Sequence, residues 1–206
     1  MSVLRIAHRA GNDLGLIAPA VELGADVIEA DVQARGGRLE VRHARSLGRL
    51  PYLWEPFYLV KDLRLQLADL RAAVPPGAVL MLDLKGGPAE LGDLVRAAMS
   101  DAEPYVVCSR AWPVLQAFAG LPEVRVVHSA RTQRELQLLP GHLRHNATWG
   151  VSLHRGLLRS PVVQQLRPQV ETVMSWPIDS VAAYEEVVGL GANGVISNDL
   201  AALPPR

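Results

Sequence analysis

Glu22-Leu-Gly-Ala-Asp-Val27-Ile-Glu29-Ala-Asp31-Val32 carries the reading of this chain. Asp13 can cap a helix that runs to Leu23, and Gly24 breaks it. Val27–Val32 then reads as a strand apolar enough to be buried, interrupted by two carboxylates at i and i+2, which share one strand face. A helix closed by glycine and followed by a buried strand is one turn of an alternating β/α chain. Working outward, Val3–Ala7 reads as the strand before it. After Val32 the turn Gly36-Gly37 and the run Leu39–Val41 read as a small hairpin arm. A helix is expected around Leu63–Ala73, a strand at Val79–Leu84 and a helix over Pro88–Met99, with proline in its first turn. Strands at Tyr105–Cys108, Val124–His128, Gly150–Leu153 and Val170–Met174 each precede a helical stretch. Asp179–Leu190 reads as a helix closed by Gly191, and Val195–Ser197 as the last strand. About eight strand–helix units result, the number a closed barrel needs. The expectation is therefore an α/β chain, a TIM (β/α)₈ barrel forming a single domain over residues 1–206 with minimal insertions. With 206 residues the chain lies at the low end of the roughly 200–250 typical of such barrels.

Composition excludes several classes of function. The formal net charge is zero, so no basic field invites nucleic acid and no acidic tail solvates a disordered segment. Cys108 is the only cysteine and cannot form an internal disulfide, which fits a reducing compartment. Met1–His8 has no basic leader and too short an apolar run for a signal peptide, and no apolar stretch approaches the ~20 residues of a membrane span. The expectation is a cytoplasmic protein. Lysine occurs only at Lys61 and Lys85; a lysine kept in an arginine-rich chain marks a position that arginine would not serve. Aromatic residues are 5% of the chain, yet Tyr52, Trp54, Phe57 and Tyr58 crowd together. That cluster reads as core or subunit contact ahead of substrate wall, which leaves a homo-oligomer open.

In a barrel of this kind functional groups gather at the C-terminal strand ends. The first strand ends in His8-Arg9. Glu29 and Asp31 sit on one face of the second, where acids are costly to bury without a compensating cation. Two hard oxygen donors near a mouth suit a divalent metal ion, Mg²⁺ or Ca²⁺. Asp83 and Lys85, again i and i+2, add an acid and an ammonium at the third strand end, and His43 follows the hairpin arm. Each has a plainer reading. His-Arg after a strand is often an ordinary loop, the acids could be a solvated strand end, Asp83 and Lys85 could pair with each other, and histidines also occur at 128, 142, 145 and 154. The conjunction, in order, favours a site.

The same motifs resemble the glycerophosphodiester phosphodiesterase family. Ile6-Ala-His8-Arg9 is similar to its first-strand His-Arg motif, and Asn12 falls at the asparagine of its Glu-Asn-Thr. Glu22 to Val32 resembles its second-strand signature nearly residue for residue. His43-Ala-Arg-Ser-Leu47-Gly-Arg49 is similar to its His-Asp-x-x-Leu-x-Arg segment and Leu82-Asp83-Leu-Lys85 to its Glu-x-Lys. Ser175-Trp176 before a helix and Gly191-Ala-Asn-Gly194-Val-Ile-Ser resemble its C-terminal motifs. The resemblance implies a metal-dependent hydrolase cleaving a small-molecule phosphodiester to glycerol 3-phosphate and an alcohol. Glu29, Asp31 and Asp83 would hold the divalent ion, His8 and His43 act as general acid and base, Arg9 and Lys85 hold the phosphate, and Trp176 line the pocket. Three positions depart from the family pattern: Gly11 stands for its glutamate, Ala44 for its aspartate, and Asp83 for a longer glutamate. An active diesterase leads. A catalytically weak relative that binds a phosphorylated ligand or a partner protein is the alternative, and a transfer forming a cyclic phosphate the third reading.

Overall fold

A computed structural model describes residues 3–46, 52–55, 58–61, 65–86 and 90–205. The first strand, β1 (Leu4–Ala7), leads through two short 3₁₀ turns into helix α1 (Ile17–Glu22). The Asp13 side chain accepts the Gly15 amide at 2.9 Å, so it caps the 3₁₀ turn ahead of α1 rather than α1 itself. Gly24, at φ 81°, ends the helix with a backbone conformation that a side chain would strain. β2 (Val27–Arg35) turns at Gly36-Gly37 into the antiparallel arm β3 (Arg38–Val41), as the glycine pair predicts. Next come β4 (Arg45–Ser46), β5 (Tyr52–Glu55) and β6 (Tyr58–Lys61), paired as a separate three-stranded sheet that the sequence reading did not foresee. Of the aromatic cluster, Phe57 lies outside the described residues, and Tyr52, Trp54 and Tyr58 are described only through their backbone pairing.

Helix α2 (Leu67–Ala73), β7 (Val79–Leu84), α3 (Glu90–Ala98), β8 (Tyr105–Ser109) and β9 (Val124–Ala130) follow. Between β8 and β9 the expected α-helix is instead a 3₁₀ segment, Trp112–Phe118. Trp112 is pinned at its start by an indole N–H to the Ser129 carbonyl at 2.9 Å, and left-handed Gly120 closes it. Few residues lie between, so the chain winds tightly. The remaining elements are α4 (Gln133–Leu143), β10 (Gly150–His154), α5 (Ser160–Leu166), β11 (Thr172–Trp176), α6 (Val181–Gly189) and β12 (Gly194–Ser197). β11 extends to Trp176, beyond the expected end at Met174, and α6 begins at Val181 behind its Ser180 cap rather than at Asp179.

Among the described residues the strands β1, β2, β7, β8, β9, β10, β11 and β12 pair in that order, all parallel, and β12 returns to β1. This closed ring with helices outside is the expected (β/α)₈ barrel. Strand alternation divides its core in two. Ile6, Val27, Met81, Val106, Val127, Met174 and Ile196 fill the barrel interior. Their neighbours in sequence, including Ile28, Ala30, Leu82 and Val107, face the helices. Fully burying such side chains stabilises by roughly 1.5–3 kcal/mol each. On β2 the inward positions after Val27 are Glu29 and Asp31, and on β7 those after Met81 are Asp83 and, just past the strand, Lys85. The chemistry of the mouth thus follows from the same period of two that builds the core.

Candidate active site

Register brings the acids together. Asp31 on β2 lies directly across from Asp83 on β7, and β1 pairs with β2 through Ala7 and Ile28, which sets His8 beside Glu29. One carboxylate oxygen from each of Glu29, Asp31 and Asp83 lies within 4.8 Å of the others. Glu29 and Asp31 are buried and Asp83 is half-buried. Lys85 Nζ stands 2.6 Å from Asp31 Oδ1 and also contacts Asp83 Oδ2, while Arg9 Nε lies 3.6 Å from Asp31 Oδ2. The plain alternative, Asp83 and Lys85 simply pairing, is half of what is seen: they pair, and both join the shared cluster.

The backbone is bent to serve this cluster. Arg9 adopts the left-handed region at φ 58°, uncommon for a non-glycine residue. Its amide donates to Glu29 Oε2 at 2.6 Å. Asn12 clasps Asp31 twice, its Nδ2 donating to Oδ2 at 2.6 Å and its Oδ1 accepting the Asp31 amide at 2.8 Å. Gly11 lies between them, buried. A Cβ there would come within 2.7 Å of Ala30 Cβ, so no side chain, glutamate included, fits at this position as folded.

Electrostatics shows what the cluster lacks. Burial, reinforced by Asp31, pushes the Glu29 carboxyl well above the usual carboxylate range. Burial likewise raises Asp83, against the pull of Lys85. Asp31 goes the other way: burial opposes its charge, but Lys85 and the Asn12 hydrogen bond outweigh it and hold its pKa low. Burial also disfavours the Lys85 charge, and Asp83, Asp31 and Glu29 together overcome it and raise its pKa. Three carboxylates against the Lys85 ammonium and the Arg9 guanidinium still leave one negative charge, which protonation or a further cation can balance. Among the described residues Asp31 Oδ1, though buried, makes no hydrogen bond of ordinary geometry and has the Lys85 ion pair alone. A hard divalent cation fits this all-oxygen donor set, since oxygens that share such an ion at roughly 2.0–2.6 Å lie no more than about 5 Å apart.

Both histidines line the same cavity of about 950 Å³, with Arg9, Glu29, Asp83, Lys85 and Trp176. His8 Nδ1 lies 2.7 Å from Asn198 Oδ1, just past β12. The Asp179 carboxylate can only accept, so its contact of 2.8 Å to Asn198 Nδ2 fixes the amide orientation and makes His8 Nδ1 the donor. Asp179 also accepts the Asn198 amide at 2.7 Å. Burial, with Arg9 nearby, lowers the His8 pKa despite the Asn198 bond. His43 follows β3 and is half-buried. Gln33 Nε2 donates to its carbonyl at 3.1 Å and to that of Arg42 at 3.0 Å, which ties the His43 segment to β2. Ala44 is buried, with its carbonyl accepting from Arg42. Trp176 ends β11 on the far side of the ring, with the His154 ring edge-on at 5.1 Å.

The candidate site residues His8, Arg9, Glu29, Asp31, His43, Asp83, Lys85 and Trp176 therefore lie at one mouth. The sequence reading left Asn198, Asp179 and Gln33 unassigned, and it gave Asn12 no role in the site. Each is a lone polar residue at or past a strand end, and nothing in local pattern separates it from a loop residue.

No family model matches the chain, and no curated protein matches it. Solved structures do. A glycerophosphodiester phosphodiesterase from Thermotoga maritima is 16% identical, with 97% of this chain and 96% of that one covered and a TM-score of 0.79. A phosphodiesterase from Oleispira antarctica, in complex with the product sn-glycerol-3-phosphate, is 17% identical with 95% and 92% covered and a TM-score of 0.77. A glycerophosphodiester phosphodiesterase from Parabacteroides distasonis is 18% identical with 96% and 94% covered and a TM-score of 0.76. This chain has their fold. It matches them over nearly its full length, so the barrel and its surrounding helices are shared rather than a fragment of them. Among the described residues no helix is long and apolar enough to cross a membrane.

Proposed function

We propose that this chain, as one barrel domain, is a divalent-metal-dependent phosphodiesterase that hydrolyses glycerophosphodiesters to glycerol 3-phosphate and an alcohol. The observation that carries the reading is the convergence of Glu29, Asp31 and Asp83 with Lys85, Arg9, His8 and His43 at one barrel mouth. The shared fold with phosphodiesterases, one of them holding sn-glycerol-3-phosphate, supports it.

In this reading Glu29, Asp31 and Asp83 hold Mg²⁺ or Ca²⁺. When bound, the ion neutralises charge on the phosphate oxygens and eases attack by an oxygen nucleophile. Lys85 and Arg9 take the remaining phosphate charge from the same side. Asn12 fixes the Asp31 carboxylate, and the Arg9 amide fixes Glu29, so both acids are held in place before substrate arrives. Breaking the diester moves one proton off the attacking oxygen and one onto the leaving oxygen. With its proton kept on Nδ1 by Asn198, His8 offers the Nε2 lone pair and accepts the first proton; His43 delivers the second. Trp176 forms the apolar part of the wall that the substrate lies against.

A panel of glycerophosphodiesters screened with Mg²⁺ and Ca²⁺, with products followed by phosphorus NMR, tests the assignment. Glycerol 3-phosphate is the expected product, and EDTA should abolish its formation. A cyclic phosphate would make the chain a transferase of the lyase type. No turnover on any diester with either metal would leave a ligand-binding relative.

A further inference from the structure

The wall of the mouth beyond the acid cluster has a charge of its own. Going round the ring from β7, Arg110 follows β8, Arg131 follows β9 and His154 ends β10, and all three line the cavity. Arg9 and Lys85 are engaged by carboxylates of the acid cluster, and of the two wall arginines Arg110 alone has a carboxylate partner among the described residues. Arg110 is held by Glu135 Oε1, at 2.7 Å from Nη2 and 3.1 Å from Nε. The other oxygen of Glu135 is taken by the Arg131 and Thr132 amides, at 2.7 and 2.8 Å. Glu135 therefore serves Arg110 and the start of α4, and the Arg131 guanidinium has no carboxylate partner among the described residues. Burial, with Arg131 and Arg155 close by, lowers the His154 pKa, so these cations crowd the imidazole that packs against Trp176.

We propose that this wall selects the alcohol half of the substrate, favouring leaving groups that carry a carboxylate or a second phosphate over neutral or cationic ones. The proposal rests on the diesterase reading and adds the substrate class. A diester bound with its phosphate at Glu29, Asp31 and Asp83 brings one negative charge, which Lys85 and Arg9 meet there. Arg131 then faces the leaving group with an open planar fork, and such forks match carboxylate and phosphate oxygens in pairs. A trimethylammonium head at the same wall would meet the Trp176 ring, with the His154 imidazole edge-on beside it, but also the guanidinium groups of Arg131 and Arg110. Cation–π attraction at one partly exposed ring is smaller than a charge-assisted hydrogen bond, so repulsion decides. The cavity of about 950 Å³ leaves ample room beside the phosphate for such a group.

The test compares three sn-glycero-3-phosphodiesters whose leaving groups differ in charge: serine, ethanolamine and choline. Serine and ethanolamine differ by one carboxylate. The wild type should show kcat/KM at least about tenfold higher for the serine diester than for the ethanolamine diester, with choline lowest. In Arg131→Gln the serine-to-ethanolamine ratio should fall toward one, and raising the salt should shrink it in the wild type. Equal kcat/KM for all three in the wild type, or an unchanged ratio in Arg131→Gln, overturns the proposal while the diesterase reading stands. If no diester is turned over, the diesterase reading fails by itself, and calorimetric Kd values for the same three compounds decide the selectivity. Tighter binding of the serine diester that is lost in Arg131→Gln upholds it, and equal Kd values overturn it.

Discussion

His8 gains its direction from a residue at the other end of the chain. Free imidazole can carry its proton on either nitrogen, and the partner of one nitrogen decides which. Asn198 supplies that partner and Asp179 orients Asn198. Replacing Asn198 with leucine should reduce kcat about 10- to 100-fold, as loss of an orienting partner commonly does, with KM little changed. Nitrogen NMR of the His8 ring should show the proton moving to Nε2; a ring that keeps its Nδ1 proton and full turnover would make the contact incidental. His8→Ala and His43→Ala should each lower kcat at least about a hundredfold without loss of fold. On a p-nitrophenyl glycerophosphodiester, whose leaving group needs no proton, His43→Ala should recover and His8→Ala should not. Recovery of His8→Ala instead would reverse the two roles.

At the level of elements, the acids of β2 and β7 were legible in the sequence because Glu29 with Asp31, and Asp83 with Lys85, stand at i and i+2 in apolar runs, where a strand puts each pair on one face. The strand period that hides Val27 and Met81 also aims Glu29 and Asp83. His8 and Arg9 were legible as the end of the first strand, whereas Trp176 was reached only through the family resemblance, because the expected strand stopped at Met174. Arg131, Asn198 and Asp179 were not legible, since each stands past a strand, where no periodicity speaks. The three-stranded sheet of β4, β5 and β6 was not legible because its strands are two to four residues long, too short for an alternation to stand out. Gly11 was read from sequence as a lost acid, and its surroundings give the reason: the turn after β1 runs against β2. Gly11→Ala should therefore cost stability, roughly 1–3 kcal/mol as for other overpacked sites, because its Cβ meets Ala30 Cβ at 2.7 Å and the Glu29 carbonyl at 3.2 Å. Thermal melts read this directly. A variant as stable as the parent would show that the turn can step away from β2.

Across the whole molecule, acid should weaken the fold through a histidine that plays no part in the chemistry. His128 on β9 faces outward, almost fully buried between Trp112 and His142. Its Nδ1 lies 3.0 Å from Thr148 Oγ1, and its Nε2 has no hydrogen-bond partner among the described residues. Burial, with His142 adding to it, lowers its pKa to about 4. The unfolded chain takes up this proton below about pH 6.5 and the native chain only near 4, so the contribution is whole above 6.5 and lost as pH falls to 4. Up to about 3 kcal/mol is at stake over that window. Urea melts at a series of pH values should show this acid loss in the parent and a flatter limb in His128→Gln. Parallel limbs in the two proteins would clear His128 of the effect.

β1 lies between β2 and β12, so the second strand of the ring and the last of the described strands meet on either side of the first. On a ribosome this imposes an order of events. Glu29, Asp31, Asp83 and Lys85 are all synthesised within the first half of the chain, and β2 can pair with β7 early. His8, although made before any of them, has no settled ring until Ser197 and Asn198 emerge at the far end, where its amide bonds the Ser197 carbonyl at 2.8 Å and its imidazole meets Asn198. A nascent chain thus holds the strands of its acidic cluster before the residues that seat the His8 ring, and under the proposed function the proton acceptor is set in place only as β12 closes the ring onto β1.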